Sequence, residues 1–197
     1  MNTASISTII VVVLVALVAA AAVVWASVHR KRQSLRLHQR YGGEYDQTVL
    51  RLGSQSKADA ELRKREVRVA KLKIKPLTTP EATRFDRAWS ALQGRFVDNP
   101  SGAVTEADTL VREVMTARGY QMSDFESRAA DISVDHPGVV DGYRAAQAIA
   151  LKNSRGEADT EELRMAIVHY RALFSELLQV REAPVTEGPK AKLAVHS

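Results

Sequence analysis

Hydrophobic positions fall into three regimes along this chain. From Ile9 to Ala26 (IIVVVLVALVAAAAVVWA) every position is apolar. As a helix that run spans about 27 Å, and extending it to Ile6 and Val28 gives about 34 Å, which brackets the ~30 Å hydrocarbon core of a bilayer. A helix on the surface of a soluble domain keeps a polar side, and this run has none. The pattern therefore predicts a transmembrane helix over residues 9–28, with residues 1–8 as a short lead outside the membrane.

Polar residues dominate from His29 to Lys75. His29 to Tyr41 can prolong the first helix, and Gly42 and Gly43 end it. A short helix is expected from Tyr45 to Arg51, closed by Gly53. Ser56 to Ala70 reads as a charged helix with a thin apolar stripe of Ala58, Leu62 and Val69. Leu72 and Ile74 then alternate with Lys71, Lys73 and Lys75, and Pro76 biases Lys75 toward extended geometry. No second strand-like run exists to pair with this one, so a connector is expected rather than a sheet.

The third regime is helical periodicity. Thr79 is a candidate N-cap with Pro80 at the first helical position, and Ala82, Phe85, Trp89, Leu92 and Phe96 follow in a heptad-like seam. Asn99 caps a second helix from Pro100 to Arg118, with Val104, Ala107, Val111 and Val114 inward and Gly119 closing it. Ser123 and Glu126 have capping-box spacing for a third, whose inward residues are Phe125, Ala129 and Ile132. A break at Ser133 to Pro137 precedes a fourth, capped by Asp135 and running to about Asn153 through Val139, Tyr143, Ala146 and Ala150. After the loop Ser154 to Ala158, Asp159 and Glu162 repeat the capping box for a last helix with the seam Leu163, Ile167, Tyr170, Phe174 and Leu177. Short connections make such helices antiparallel neighbours. The expected fold is all-α: the transmembrane helix, a basic juxtamembrane segment and connector over 29–77, and a soluble bundle of about five helices over 78–182. Residues 183–197 mix Pro, Gly and polar residues and read as a disordered tail.

Charge sharpens this division. Residues 29–75 carry 14 Lys/Arg against 5 Asp/Glu, a net of +9, whereas residues 76–183 carry 12 against 17, a net of −5. The cations Arg30, Lys31, Arg32, Arg36 and Arg40 directly follow the apolar run, and Lys/Arg beside a span keep that flank cytoplasmic. The expected orientation is N-out, C-in, at a cell inner membrane, with Trp25 at the interface and those five cations against lipid headgroups. The alternative is an exported domain released by signal cleavage, for which Ala20-Ala21-Ala22 supplies small residues. Against it, residues 1–8 carry no charged side chain and the run exceeds a usual signal core. Nucleic acid is a disfavoured partner for the basic segment, because cations tied near a bilayer meet anionic headgroups first.

Candidate chemistry is sparse. The chain has no Cys, which excludes disulfides, thiolate metal sites and cysteine nucleophiles. It contains no metal-ligand spacing, phosphate loop or nucleophile elbow, and no cofactor is expected. Asp131, Ser133, Asp135 and His136 gather two carboxylates, a hydroxyl and an imidazole in one interhelix turn. That makes Asp131, Asp135 and His136 the candidates for an enzymatic or ligand-binding site, although turns and N-caps need the same residue types. His169 is expected to flank the last seam. Phe85, Trp89 and Phe96 are read as core in preference to a pocket lining.

The strings Ala88-Trp89 to Phe96-Val97-Asp98, Arg118-Gly119-Tyr120 and Val134-Asp135-His136-Pro137 resemble an uncharacterised group of bacterial single-span, membrane-anchored helical proteins. The resemblance covers roughly Arg40 to Leu178. It implies a bacterial anchored helical protein and carries no activity or site residues. The function expected from the whole is that of an interaction or scaffold module with a protein partner.

Overall fold

A computed structural model describes the backbone of residues 3–178 and, within them, the side chains of all but 3–16, 19, 23 and 26. Every element among the described residues is helical: α1 (Thr3–Tyr41), α2 (Gly43–Leu52), α3 (Gln55–Val69), α4 (Thr79–Arg95), α5 (Pro100–Arg118), α6 (Phe125–Asp135), α7 (Val140–Ser154) and α8 (Thr160–Leu178). A 3-10 turn, Pro137–Val139, precedes α7. The expected transmembrane stretch lies within α1, and many of its side chains fall outside the described residues, as do residues 1–2 of the lead and the expected tail at 183–197. Among the described residues, no helix is long and apolar enough to cross a membrane.

The chain divides into two compact units. Among the described residues, one holds residues 3–71 and 124–141, the other residues 72–123 and 142–178. Sequence periodicity counts α6 among the bundle helices, but α6 belongs to the first unit, where it packs on α3. The reason is visible in α3. Its stripe of Ala58, Leu62 and Val69 is buried, as expected, and Arg65 within it donates to Ser133 of α6. Ala129, Ile132 and Val134 of α6 add apolar surface to the first unit.

Within the first unit α1 runs without interruption through His29 to Tyr41, burying Leu37 and Tyr41. Gly42, at φ +51°, makes the corner into α2, a positive-φ conformation that glycine adopts without a Cβ penalty.

In the second unit, Ala82, Phe85, Trp89 and Leu92 of α4, Val104, Ala107, Val111 and Val114 of α5, and Leu163, Ile167, Tyr170, Phe174 and Leu177 of α8 are all buried, so three of the expected seams form one core. Trp89 stacks on Phe174 with ring centroids 4.6 Å apart. Phe96 lies just past the end of α4 and is only half-buried. Residues 72–77 form the expected connector, tied by the Lys75 N–H to the Arg118 carbonyl at 2.9 Å.

α2 begins at Gly43, two residues before the expected Tyr45, and the caps at three other helix starts differ from expectation. Thr78, not Thr79, caps α4: its hydroxyl accepts the Glu81 N–H, and the Glu81 carboxylate accepts the Thr78 N–H at 2.9 Å. Thr78 keeps extended backbone, φ −72° and ψ 155°, which a cap requires and a helical residue lacks. Asp124 displaces Ser123 as the cap of α6, accepting the Ser127 N–H at 3.0 Å. Asp135 caps nothing, because α6 continues through the expected break and ends on it. By contrast Asn99 caps α5 by accepting the Gly102 N–H at 2.9 Å, and Asp159 and Glu162 form the reciprocal pair at the start of α8.

Candidate functional site

The functional candidates of the first unit begin with a buried polar network. In α3, Arg65 stands three residues after Leu62 and four before Val69, which puts a guanidinium in the apolar stripe. It is 1% exposed. A charge so placed needs partners, since desolvation of an unpaired ion costs several kcal/mol, roughly. Arg65 Nη1 donates to Glu44 Oε1 of α2 at 2.5 Å and to Ser133 Oγ of α6 at 3.2 Å, while its Nε donates to Glu61 Oε1 at 3.3 Å. Glu44 is 2% exposed and Ser133 fully buried. The Ser133 hydroxyl in turn donates to the Ala130 carbonyl. One arginine thus joins three helices.

Arg68, one turn further, pairs with the buried Asp131 of α6 at 2.6 Å. From α1, Arg40 donates to Glu66 Oε1 and to the Val134 carbonyl, each at 3.0 Å. The Tyr41 hydroxyl is pushed up to about 12, by burial first and by the Glu66 carboxylate second. Such a phenol is inert at neutral pH. The geometry is that of a clamp, in which Arg40, Arg65 and Arg68 each meet a carboxylate.

An open groove of about 760 Å³ lies between α1 and α3. Arg30, Lys31 and Ser34 of α1 face Ser56, Asp59 and Arg63 of α3 across it. Arg63 Nη1 donates to Gln33 Oε1 of α1 at 3.1 Å. Of the lining residues, Asp59 accepts the buried Tyr45 hydroxyl on Oδ1 at 3.0 Å, and that hydroxyl also bonds Ser34 Oγ at 2.8 Å. Burial raises the pKa of Tyr45, so it stays a neutral donor.

The sequence candidates separate on this framework. Asp131 is held by Arg68. Asp135 is exposed at the last position of α6, and His136 is half-buried at the following corner. Among the described residues, no group of three or more His, Asp or Glu side chains is arranged to hold a metal ion. Of the five cations expected at lipid, Arg30 and Lys31 line the groove, Arg32 and Arg36 are exposed, and Arg40 is engaged by Glu66 and Val134. His169 sits half-buried beside the α8 seam. Sequence reasoning missed Arg65 and Glu44, and placed the Ser133 hydroxyl in an interhelix turn where it meets Arg65 instead. The available signal was Arg65 itself, a charge at a seam position.

No protein-family model matches the chain, and neither does any curated protein or solved structure. The resemblance read from the sequence gains no support from these comparisons.

Proposed function

We propose that residues 9–28 hold this chain at a bacterial inner membrane, N-terminus outside, and that its cytoplasmic units act as an interaction or scaffold module for a protein partner. The observation that carries the reading is the continuity of α1. The helix that contains the apolar run ends inside a folded core, with Leu37 and Tyr41 buried and Arg40 clamped to α3 and α6. A domain mounted this way keeps one height and one orientation relative to its anchor. That suits a protein that positions a partner. A flexible tether would suit one that must search for a substrate. Support also comes from the segregation of charge, with the basic segment beside the run and the acidic residues beyond it.

An enzymatic reading centred on Asp131, Asp135 and His136 draws no support from the geometry, since Asp131 is consumed in an ion pair. Orientation is tested by C-terminal fusion to a fluorescent protein that matures only in the cytoplasm and to a phosphatase active only outside. Fluorescence without phosphatase activity is expected. The reverse result would instead favour an exported domain and remove the cytoplasmic scaffold. Crosslinking in intact membranes, followed by purification through a C-terminal tag, should then return one reproducible partner; return of none, with the purified chain binding a metabolite, would sink the scaffold role.

A further inference from the structure

We propose that the groove between α1 and α3 is a binding site for the phosphate headgroup of an anionic phospholipid, with Arg63 as the residue that makes it a site rather than a charged surface. The proposal rests on the membrane-anchor reading above. Position is the first argument. Arg30 and Lys31 follow Ala26, the end of the apolar run, by four and five residues, or about 6–8 Å along a helix, which is the depth of the headgroups when the run spans the core. The groove opens at that level.

Chemistry is the second argument. Three cations, Arg30, Lys31 and Arg63, line the groove together with a single carboxylate, Asp59. That carboxylate is 9% exposed and already accepts the Tyr45 hydroxyl, so the cations dominate what a ligand meets. Guanidinium groups favour phosphate because their paired N–H donors match two of its oxygens. Arg63 is brought to the groove from α3, 37 residues beyond the apolar run, and its hydrogen bond to Gln33 orients it toward α1. A volume of about 760 Å³ is in the range of small-molecule sites, about 300–1,000 Å³. Leu35 lines the same groove and is 55% exposed, an apolar wall that a free phosphate or nucleotide does not need and a lipid glycerol backbone can cover. The shared chemistry is a phosphate, and Leu35 together with the membrane depth selects the lipid source.

The test uses the full chain in phosphatidylcholine nanodiscs containing phosphatidylglycerol, with native mass spectrometry to count retained lipid. One phosphatidylglycerol should be retained in preference to phosphatidylcholine. Arg63→Gln should reduce that retention by about tenfold or more, the effect of losing a charge-assisted hydrogen bond. Arg32→Gln and Lys57→Gln remove the same charge outside the groove and should change it by no more than about the fivefold of one diffuse surface charge. Arg63→Lys, which keeps charge and loses the fork, should fall between. Equal losses in all three glutamine variants would mean diffuse attraction and overturn the site, as would displacement of the lipid by millimolar inorganic phosphate. A chain that carbonate washing strips from membranes would overturn the anchor and the site together. A chain that stays in the membrane without preferring phosphatidylglycerol would overturn the site alone.

Discussion

Replacing Arg65 with Met is the sharpest perturbation the first unit offers. Met keeps most of the apolar stem and removes the guanidinium, so the loss is electrostatic more than steric. It takes from Glu44, 2% exposed, the cation that approaches it at 2.5 Å, and takes one partner from Ser133. Breaking a buried pair from one side costs about 3–5 kcal/mol. For a chain of this length, where 1 kcal/mol moves the midpoint by about 2–4 °C, Tm should fall by about 6–20 °C. Thermal unfolding of the full chain in detergent, followed by circular dichroism, measures it. Hydrogen exchange should show α3 and α6 amides losing protection.

The pH dependence has a defined sign. A buried carboxylate that has lost its cation holds a proton more readily in the folded state, so folded R65M binds more protons than its unfolded chain and loses stability as pH rises. The deficit against wild type should therefore be larger at pH 8 than at pH 5. The double variant E44L/R65M, which removes both members of the buried pair and leaves only the partly exposed Glu61 without Arg65, should recover most of the loss. Two results would refute the reasoning: a loss below about 1 kcal/mol in R65M, typical of an exposed pair, or a double variant as unstable as the summed singles.

Other expectations are simpler. Gly119 closes α5 at φ +97°, and a Cβ there would stand 2.7 Å from the Lys73 carbonyl oxygen; Gly119→Ala should cost more than about 1 kcal/mol, read from the chemical denaturation midpoint. Asn99→Ala, which removes the α5 cap, should cost about 1 kcal/mol in the same assay. Absorbance titration at 295 nm should show late phenol ionisation. Tyr41 titrates near 12, and Tyr170 is raised by burial first and by the Asp108 carboxylate second. Because these folded values exceed the ordinary ~10, their contribution is intact below that pH and is lost as pH climbs through the raised values. Glu81 and Glu162 are lowered, the first chiefly by the Thr78 backbone N–H and the second chiefly by Lys152. Their contribution is present above the unfolded ~4.3 and disappears as pH falls through the folded values, so Tm should decline below about pH 4.

The helices themselves were legible because their signals are local. Caps such as Asn99 and Asp159 and the α4, α5 and α8 seams follow from spacing alone. Thr78 and Thr79 are chemically equivalent as caps, and only the placement of Glu81 three residues on from Thr78 separates them. The grouping of α6 with α3 was not legible, since it depends on contacts made across more than 50 residues of chain, such as Arg65 with Ser133. Asp131 shows the cost to site reasoning. In sequence it belongs with Asp135 and His136, whereas in space it belongs with Arg68.

The same distinction changes how the basic segment works. Counted along the chain, residues 29–75 carry a net of +9. Counted in space, Arg40, Arg65 and Arg68 are spent inside the fold, on Glu66, Glu44 and Asp131. Two of these arginines lie within five residues of Arg63, yet the helical period turns Arg65 and Arg68 toward α6 while Arg63 faces α1. Part of the positive charge therefore builds the mount. The cations that reach the groove, Arg30, Lys31 and Arg63, come from two helices that the mount holds in register. A surface that binds lipid by total charge would be insensitive to that register, and a site would not. Disrupting the clamp with R65M should then weaken phosphatidylglycerol retention even though Arg65 lines no part of the groove, whereas the charge-free repair E44L/R65M should restore it.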